Sequence, residues 1–248
     1  MTRPVADRVW ETMQARITLF SEGIENEPWL PALFEAIAEN KADKVESQPK
    51  TGVTISRGKW REGELRVKSG PGRFDLILAP EMVQTVQPFP VIGSIDEMDV
   101  MIEKVETYVA PNLKTTERVA LGIGVISRCE NEDEATKVVT ELAGVTTDLT
   151  NASDFIFQIN RYRQVDGRRV NRILKCLSFS VQDIVANVAA DEAQITLAAN
   201  YARCDFDFNT HPSGTAMPAD PIPAKEVAPW LRRLSGMVRQ TLTEGFAS

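Results

Sequence analysis

The sequence is short of the residues from which most reactive sites are built. It has one histidine, His211, and three cysteines, Cys129, Cys176 and Cys204. A lone histidine removes two-histidine phosphodiester chemistry and most metal-histidine centres. A triad on His211 would need a nucleophile, yet no G-x-S-x-G elbow is present and the cysteines lack a reactive local context. Placed just before Pro212, His211 reads as a loop residue. The cysteines are widely spaced, odd in number and set in strand-like runs, the pattern of reduced thiols in a cytosolic protein rather than of disulfides or a zinc knuckle. Walker A and zinc-ribbon spacings are absent. Leu121-Gly122-Ile123-Gly124 resembles a piece of a dinucleotide fingerprint, but its glycines fall inside a strand and the third glycine is missing. No cofactor is expected. No run approaches the roughly 18 apolar residues of a membrane helix, and the opening residues MTRPVADRVWE lack an apolar signal core, so a cytoplasmic protein without membrane contact is expected.

What is present is ordinary for a globular protein: 43% hydrophobic and 25% charged residues in a chain of 248. That length suffices for one large domain or two modest ones. The formal net charge of -7 opposes bulk attraction to nucleic acid or anionic membrane. Any anion binding must therefore come from a local patch.

Taken in order, Gln14 to Phe20 alternates like a strand. Leu30, Leu33, Phe34 and Ile37 then recur at i, i+3, i+4 and i+7, which predicts a helix with Pro28 and Pro31 in its first turn. Lys41 to Lys50 reads as a polar loop. Three short strands follow, Val53 to Arg57, Glu64 to Lys68 and Arg73 to Ala79, and Ser94-Ile95-Asp96-Glu97 has the spacing of a capping box at the start of a second helix. From Arg118 the order repeats. Val119 to Cys129 is a strand, Asn131 and Glu134 cap a helix that exits at Gly144, two hairpin strands and a run from Gln194 to Asn209 follow, and a final helix carries Val227, Leu231, Leu234, Val238 and Leu242, with a kink expected at Pro229. Arg73-Phe74-Asp75 is echoed by Arg203-Cys204-Asp205. The expected fold is α+β: a tandem duplication of a β-α-β-β-β-α unit over residues 1–113 and 114–248, with antiparallel sheets and helices packed on one face. The pattern leaves open whether the two sheets merge.

The stretch from 154 to 179 is the most distinctive. Asp166-Gly167 supplies the two positive φ angles of a type I′ turn between two alternating runs. A two-residue turn pairs Val165 with Arg168, Arg163 with Val170 and Arg161 with Arg172. One face then carries Phe155, Phe157, Ile159, Leu174 and Cys176 at its base and Arg161, Arg163, Arg168 and Arg172 toward its tip. The other carries Gln158, Asn160, Tyr162, Gln164, Arg169, Asn171 and Lys175. Like charges directly opposite on a sheet are destabilising, so carboxylates or a bound anion are expected beside Arg161 and Arg172. Guanidinium groups in such a cluster suit bidentate recognition of phosphate or carboxylate; the alternative is that they are solvated or paired with neighbouring acids.

Asp205-Phe206-Asp207-Phe208-Asn209 alternates too, placing Asp205, Asp207 and Asn209 on one face. These oxygens suit Mg²⁺ in a metal-dependent phosphodiester hydrolase with Asp205 and Asp207 as catalytic carboxylates. The competing reading is that Asp205 or Asp207 neutralises Arg172 or another hairpin arginine.

Asp154-Phe155, Gln158-Ile159-Asn160-Arg161, Asn171-Arg172-Ile173 and Asp205-Phe206-Asp207 together resemble the C-terminal half of a sporadically distributed prokaryotic protein family. Its members show a strand, a Q-I-N-R-like motif, an N-R-like motif and an acidic strand before a terminal helix. The chain departs from the family's usual tryptophan after the N-R motif and has Cys176. The resemblance implies no activity, and the family's patchy distribution points to mobile or defence-linked genes.

The leading expectation is a non-enzymatic binding protein. Arg161, Arg163, Arg168, Arg169 and Arg172 would hold an acidic protein segment or a nucleic acid strand, with Asn160, Tyr162 and Asn171 giving polar specificity. The alternatives are the hydrolase, whose metal ligands would be Asp205, Asp207 and Asn209, and a structural subunit of a homo-oligomer or larger complex.

Overall fold

The computed structural model describes residues 5–81, 89–146, 155–187, 192–210 and 220–246. After a turn at Val5–Asp7, strand β1 (Glu11–Phe20) leads through Ile24–Asn26 into helix α1 (Leu30–Ala38). Strands β2 (Lys44–Gln48), β3 (Val53–Trp60), β4 (Gly63–Gly70) and β5 (Arg73–Ala79) form a meander, and helix α2 (Glu97–Lys104) runs on into a π turn at Val105–Val109 and a 3₁₀ turn at Ala110–Asn112. The short β6 (Thr115–Thr116) precedes β7 (Arg118–Cys129) and helix α3 (Glu132–Ala143). Strands β8 (Ile156–Val165), β9 (Arg168–Asn187) and β10 (Glu192–Asn209) come next, then the short β11 (Ile222–Pro223) and helix α4 (Ala224–Glu244).

The fold is mixed α and β, with one large antiparallel sheet whose strand order is β2-β3-β4-β5-β1-β7-β10-β9-β8, while β6 and β11 pair separately. The sheets of the two halves merge through β1 and β7, which pair from Glu11↔Ile126 to Phe20↔Arg118. Period two then sorts the whole sheet into two faces. On one, Ala15, Ile17 and Leu19 of β1 align with Leu78, Leu76 and Phe74 of β5 and with Ile123, Leu121 and Val119 of β7. These side chains and the buried stripes of all four helices, among them Phe34, Met101, Val139 and Leu231, belong to a single hydrophobic core. Each fully buried Leu, Ile or Phe contributes about 1.5–3 kcal/mol, so this apolar face dominates stability.

The opposite face is polar. Reading straight across the strands, one row runs Lys44, Arg57, Arg66, Ile77, Arg16, Gly122, Asp207, Ile173, Asn160. Part of this face is covered at its far end, where Phe89 packs edge-on against Phe179 and Tyr201 at centroid distances of 5.1 and 5.5 Å.

Two local expectations are corrected. Lys41 to Lys50 is not all loop, since Lys44–Gln48 forms β2. It has no apolar alternation because it lies at the sheet edge, held by its backbone ladder to β3 and by Glu46, which bonds both Lys44 (2.8 Å) and Arg57 (2.9 Å). The Ser94 capping box does not form either. Ser94 Oγ accepts from the Asp96 amide at 3.2 Å, and Glu97 instead takes a bidentate bond from Arg61 at 2.7 and 3.0 Å. By contrast Asn131 caps α3 as expected, its Oδ1 accepting from the Glu134 amide at 2.8 Å, and Gly144 ends the helix at φ 67°.

Replacing Asn131 with Ala is expected to lower stability by about 1 kcal/mol, the usual cost of a lost N-cap, read from the midpoint of urea unfolding. Glu134 offers a second measurement. Its carboxylate accepts from the Glu130 amide at 2.6 Å and pairs with Arg8, both of which hold its pKa below the ordinary 4.5. A carboxylate depressed in the folded state stabilises above its unfolded pKa, and that contribution disappears as pH falls through the folded value. Glu134→Gln should therefore lose less stability than the parent chain as the pH falls from neutral through and below 4.5.

Candidate functional site

The hairpin of β8 and β9 has the expected register, from Ile156↔Leu177 to Val165↔Arg168, with Arg161 directly opposite Arg172. Asp166 and Gly167 turn it with φ of 48° and 75°, the positive pair that a type I′ turn requires. Strand β8 is the last strand of the sheet, so its outer edge has no neighbour among the described residues. Asp154, the first residue of the family resemblance, and His211 lie outside the described residues.

The carboxylates expected around the hairpin tip are not beside four of its arginines. Among the described residues no ion pair joins Arg161, Arg163, Arg168 or Arg169 to an acid, and the one acid at the turn, Asp166, pairs with Arg233 of α4 at 2.8 Å. For Arg161, Arg168 and Arg169, aromatic rings take the place of counter-charge. Arg161 and Arg172 both lie over the buried Phe246 ring, at 5.6 and 5.1 Å, Arg168 lies over Trp230 at 6.0 Å and donates to the Asp220 carbonyl, and Arg169 stacks on Tyr162 at 3.5 Å. The negative face of each ring holds a guanidinium without neutralising it. Burial first, then the positive charges of Arg163 and Arg161, press the pKa of Arg172 below the ordinary arginine value.

The structure separates the expected binding residues. Arg161, Arg163, Arg168 and Arg172 stand on the apolar side of the sheet beside α4, whereas Asn160, Tyr162, Arg169 and Asn171 face the polar side. Asn171 is buried and donates to Asn209 Oδ1 at 3.1 Å. Arg163 is exposed and borders a shallow cleft of about 480 Å³ between the hairpin end and α4, together with Val165, Asp166, Arg233, Met237 and Gln240.

The acidic strand lies on the other side of the sheet from the tip arginines, which corrects the pairing expected between them. Phe206 and Phe208 are buried in the apolar core, and Asp205, Asp207 and Asn209 face the polar side as period two predicts. Asp205 accepts Nε and Nη2 of Arg203 at 3.1 and 3.0 Å. Asp207 lies 3.4 Å from Arg16 and accepts from Asn209 at 3.3 Å. No group of three His, Cys, Asp or Glu residues among the described residues is placed to hold a metal ion. Cys176 and Cys204, free and buried, face one another across β9 and β10 with their sulfurs 3.1 Å apart, and burial pushes the Cys204 thiol well above its ordinary pKa.

Arg16, Arg66, Lys175 and Arg203 join the two aspartates around a second hollow of about 480 Å³ on the polar face. Gly122 and Gly124 form its floor. A Cβ on Gly122 would stand 3.3 Å from two guanidinium nitrogens of Arg16, and one on Gly124 2.9 Å from Asp205 Oδ1. These are the glycines of the partial fingerprint, and their absent side chains make room for charged neighbours. Arg203 was within reach of the sequence, since it shares the odd-numbered face of Asp205 and Asp207. Arg16, Arg66 and Lys175 were not, because strand order alone brings them there.

Beside this hollow, Arg73 and Arg118 flank Phe20 across β5, β1 and β7, with their guanidinium carbons 5.6 and 4.7 Å from the ring centroid. Arg73 is bidentate to the buried Asp75 at 2.8 and 2.9 Å, and this bonding raises its pKa. Arg118 has no hydrogen-bond or ion-pair partner among the described residues, and its pKa is lowered by burial and by the nearby positive charges of Arg73 and Arg16.

Compared with protein-family models, curated proteins and solved structures, the chain matches none of them. No helix among the described residues is long and apolar enough to cross a membrane.

Phe246→Ala would remove the ring beneath both Arg161 and Arg172. It should cost about 3–5 kcal/mol, the range for a buried Phe truncation, measured by chemical denaturation. Phe246→Leu, which keeps most of the volume but not the π face, should cost clearly less.

Proposed function

We propose that the protein is a non-enzymatic binding protein that holds an acidic, extended segment of a partner protein along the outer edge of β8. The observation that carries this reading is the pairing of an exposed strand edge with arginines that have no acid of their own. Arg57, Arg61, Arg66, Arg73, Arg203, Arg232, Arg233 and Arg239 each meet a carboxylate within the chain. Arg161 and Arg163 do not, among the described residues, although they belong to the ten-residue strand at the end of the sheet.

An added strand would satisfy the outward amides and carbonyls of β8. Alternate acidic side chains on it would lie beside Arg161 and Arg163, while the exposed Ile156 and Tyr162 would meet its other face. Main-chain pairing favours a polypeptide over nucleic acid, which has no matching ladder. Charge favours an acidic segment over a second copy of the chain, because antiparallel β8 strands would bring arginine against arginine. The hydrolase reading is the weaker one, since Asp205 and Asp207 are engaged with Arg203 and Arg16.

We further read the architecture as a duplicated β-α-β-β-β-α unit divided near residue 113, with the helices on one face. The mirrored strand order about β1 and β7 supports it, as do the matching ion pairs Arg73–Asp75 and Arg203–Asp205 in β5 and β10. The family resemblance supports a setting among mobile or defence-linked genes.

The test is capture from lysate of the native host by the immobilised chain, followed by binding of the captured partner's acidic segment as a synthetic peptide. Arg161→Ala with Arg163→Ala should weaken peptide binding at least tenfold with little change in unfolding midpoint, since both side chains lie at the sheet edge. Binding that is unaltered by this pair of substitutions would remove the proposal.

A further inference from the structure

We infer that the hollow on the polar face, over β1, β7 and β10, is a binding site for a small phosphorylated organic molecule of mononucleotide size. This site is separate from the β8 edge and does not depend on it. Four features lead to it. The first is size, since about 480 Å³ falls in the range of small-molecule pockets. The second is charge: Arg16, Arg66, Lys175 and Arg203 surround the space, and with Asp207, Glu64 and Asp205 paired to the three arginines one positive charge is left over in a chain whose net charge is -7. Lys175, exposed and directly across from Asp205, has no ion-pair partner among the described residues. Arg118, buried in part and without a hydrogen-bond or ion-pair partner among the described residues, adds positive potential from the side of Arg16 and Asp207.

The third feature is the looseness of the central ion pair. Arg16 and Asp207 stand 3.4 Å apart, with about a third of each side chain exposed (33% and 39%). Such a pair exchanges readily for a ligand, because each partner loses little on separation in a wet site. Arg16 can then turn to a phosphate, for which its fork of donors is suited. The freed lone pairs of Asp207, and those of Asp205 not used by Arg203, are acceptors for hydroxyl or amino donors on the same molecule. The fourth feature is an apolar wall: Met13, Ala79, Pro80, Pro90 and Ile173 line the hollow and offer flat, dry surface to a ring. A phosphate, donor groups and a ring in one compact molecule answer all three kinds of lining. Gly122 and Gly124 leave room over the sheet for the Arg16 guanidinium and the Asp205 carboxylate, the charged groups that would meet the molecule.

The experiment is isothermal titration of the full chain with adenosine and uridine monophosphates, ribose 5-phosphate, adenosine and inorganic phosphate. At least one nucleoside monophosphate should bind saturably, at least tenfold more tightly than inorganic phosphate, with adenosine silent. Lys175→Glu, a substitution at an exposed side chain, should weaken that binding tenfold or more without lowering the unfolding midpoint, and Arg16→Gln should do the same to affinity. Arg161→Ala with Arg163→Ala should leave it unchanged, which separates this site from the strand edge. The inference is overturned if no phosphorylated compound binds saturably, if inorganic phosphate binds as well as the organic phosphates, or if Lys175→Glu binds as the parent does. It is overturned equally if a single-stranded oligonucleotide binds while every mononucleotide fails, which would make the polar face a polymer track.

Discussion

The antiparallel contact of β1 with β7 is the constraint on which the rest of the molecule depends. It joins strands far apart in sequence, from the two halves of the chain, and makes nine strands into one surface. Because side chains alternate along every strand, that single register decides for the entire sheet which residues enter the core and which stay wet. A slip by one residue would send Ile17 and Leu121 to water and bring Arg16 into the apolar core. The buried stripes of four helices hold the register in place.

The same contact explains how charge can gather in the middle of the polar face without tearing it apart. Arg16 lies opposite Gly122 and beside Asp207, so the one guanidinium on β1 meets a glycine on β7. Farther along, Phe20 separates Arg73 from Arg118 and offers both a ring face. The tip of the β8–β9 hairpin uses the same device with Phe246, Trp230 and Tyr162. Aromatic rings hold arginines in place while leaving much of their charge available, which a carboxylate would not.

Much of the architecture was legible in the sequence where the signal is local. The Asp166-Gly167 turn dictates hairpin register through backbone geometry alone, and Asn131 with Gly144 marks α3 by satisfying groups that every helix end leaves bare. The alternation of Asp205 to Asn209 likewise sorts Phe206 and Phe208 into the core. What stayed hidden depends on strands meeting across the fold. Nothing within Lys44–Gln48 announces a strand, because its partners lie on β3. The arginines of β8 called for acids, but no local pattern could reveal that Phe246, far along the chain, would lie beneath Arg161 and its cross-strand neighbour. Gly122 and Gly124 made sense only once Arg16 and Asp205 were seen beside them.

The two ends of the sheet are not equivalent. At β2, Lys44, Glu46 and Arg57 bind one another across the outermost pair of strands, so that margin is dressed in compensated charge. At β8 the margin has no neighbour among the described residues, and its arginines are uncompensated by any described acid. Both terminal strands have a paired neighbour on one side only among the described residues, and they differ in charge rather than in backbone exposure. The two margins thus present opposite electrostatics to any approaching strand, balanced charge at β2 and an excess of positive charge at β8.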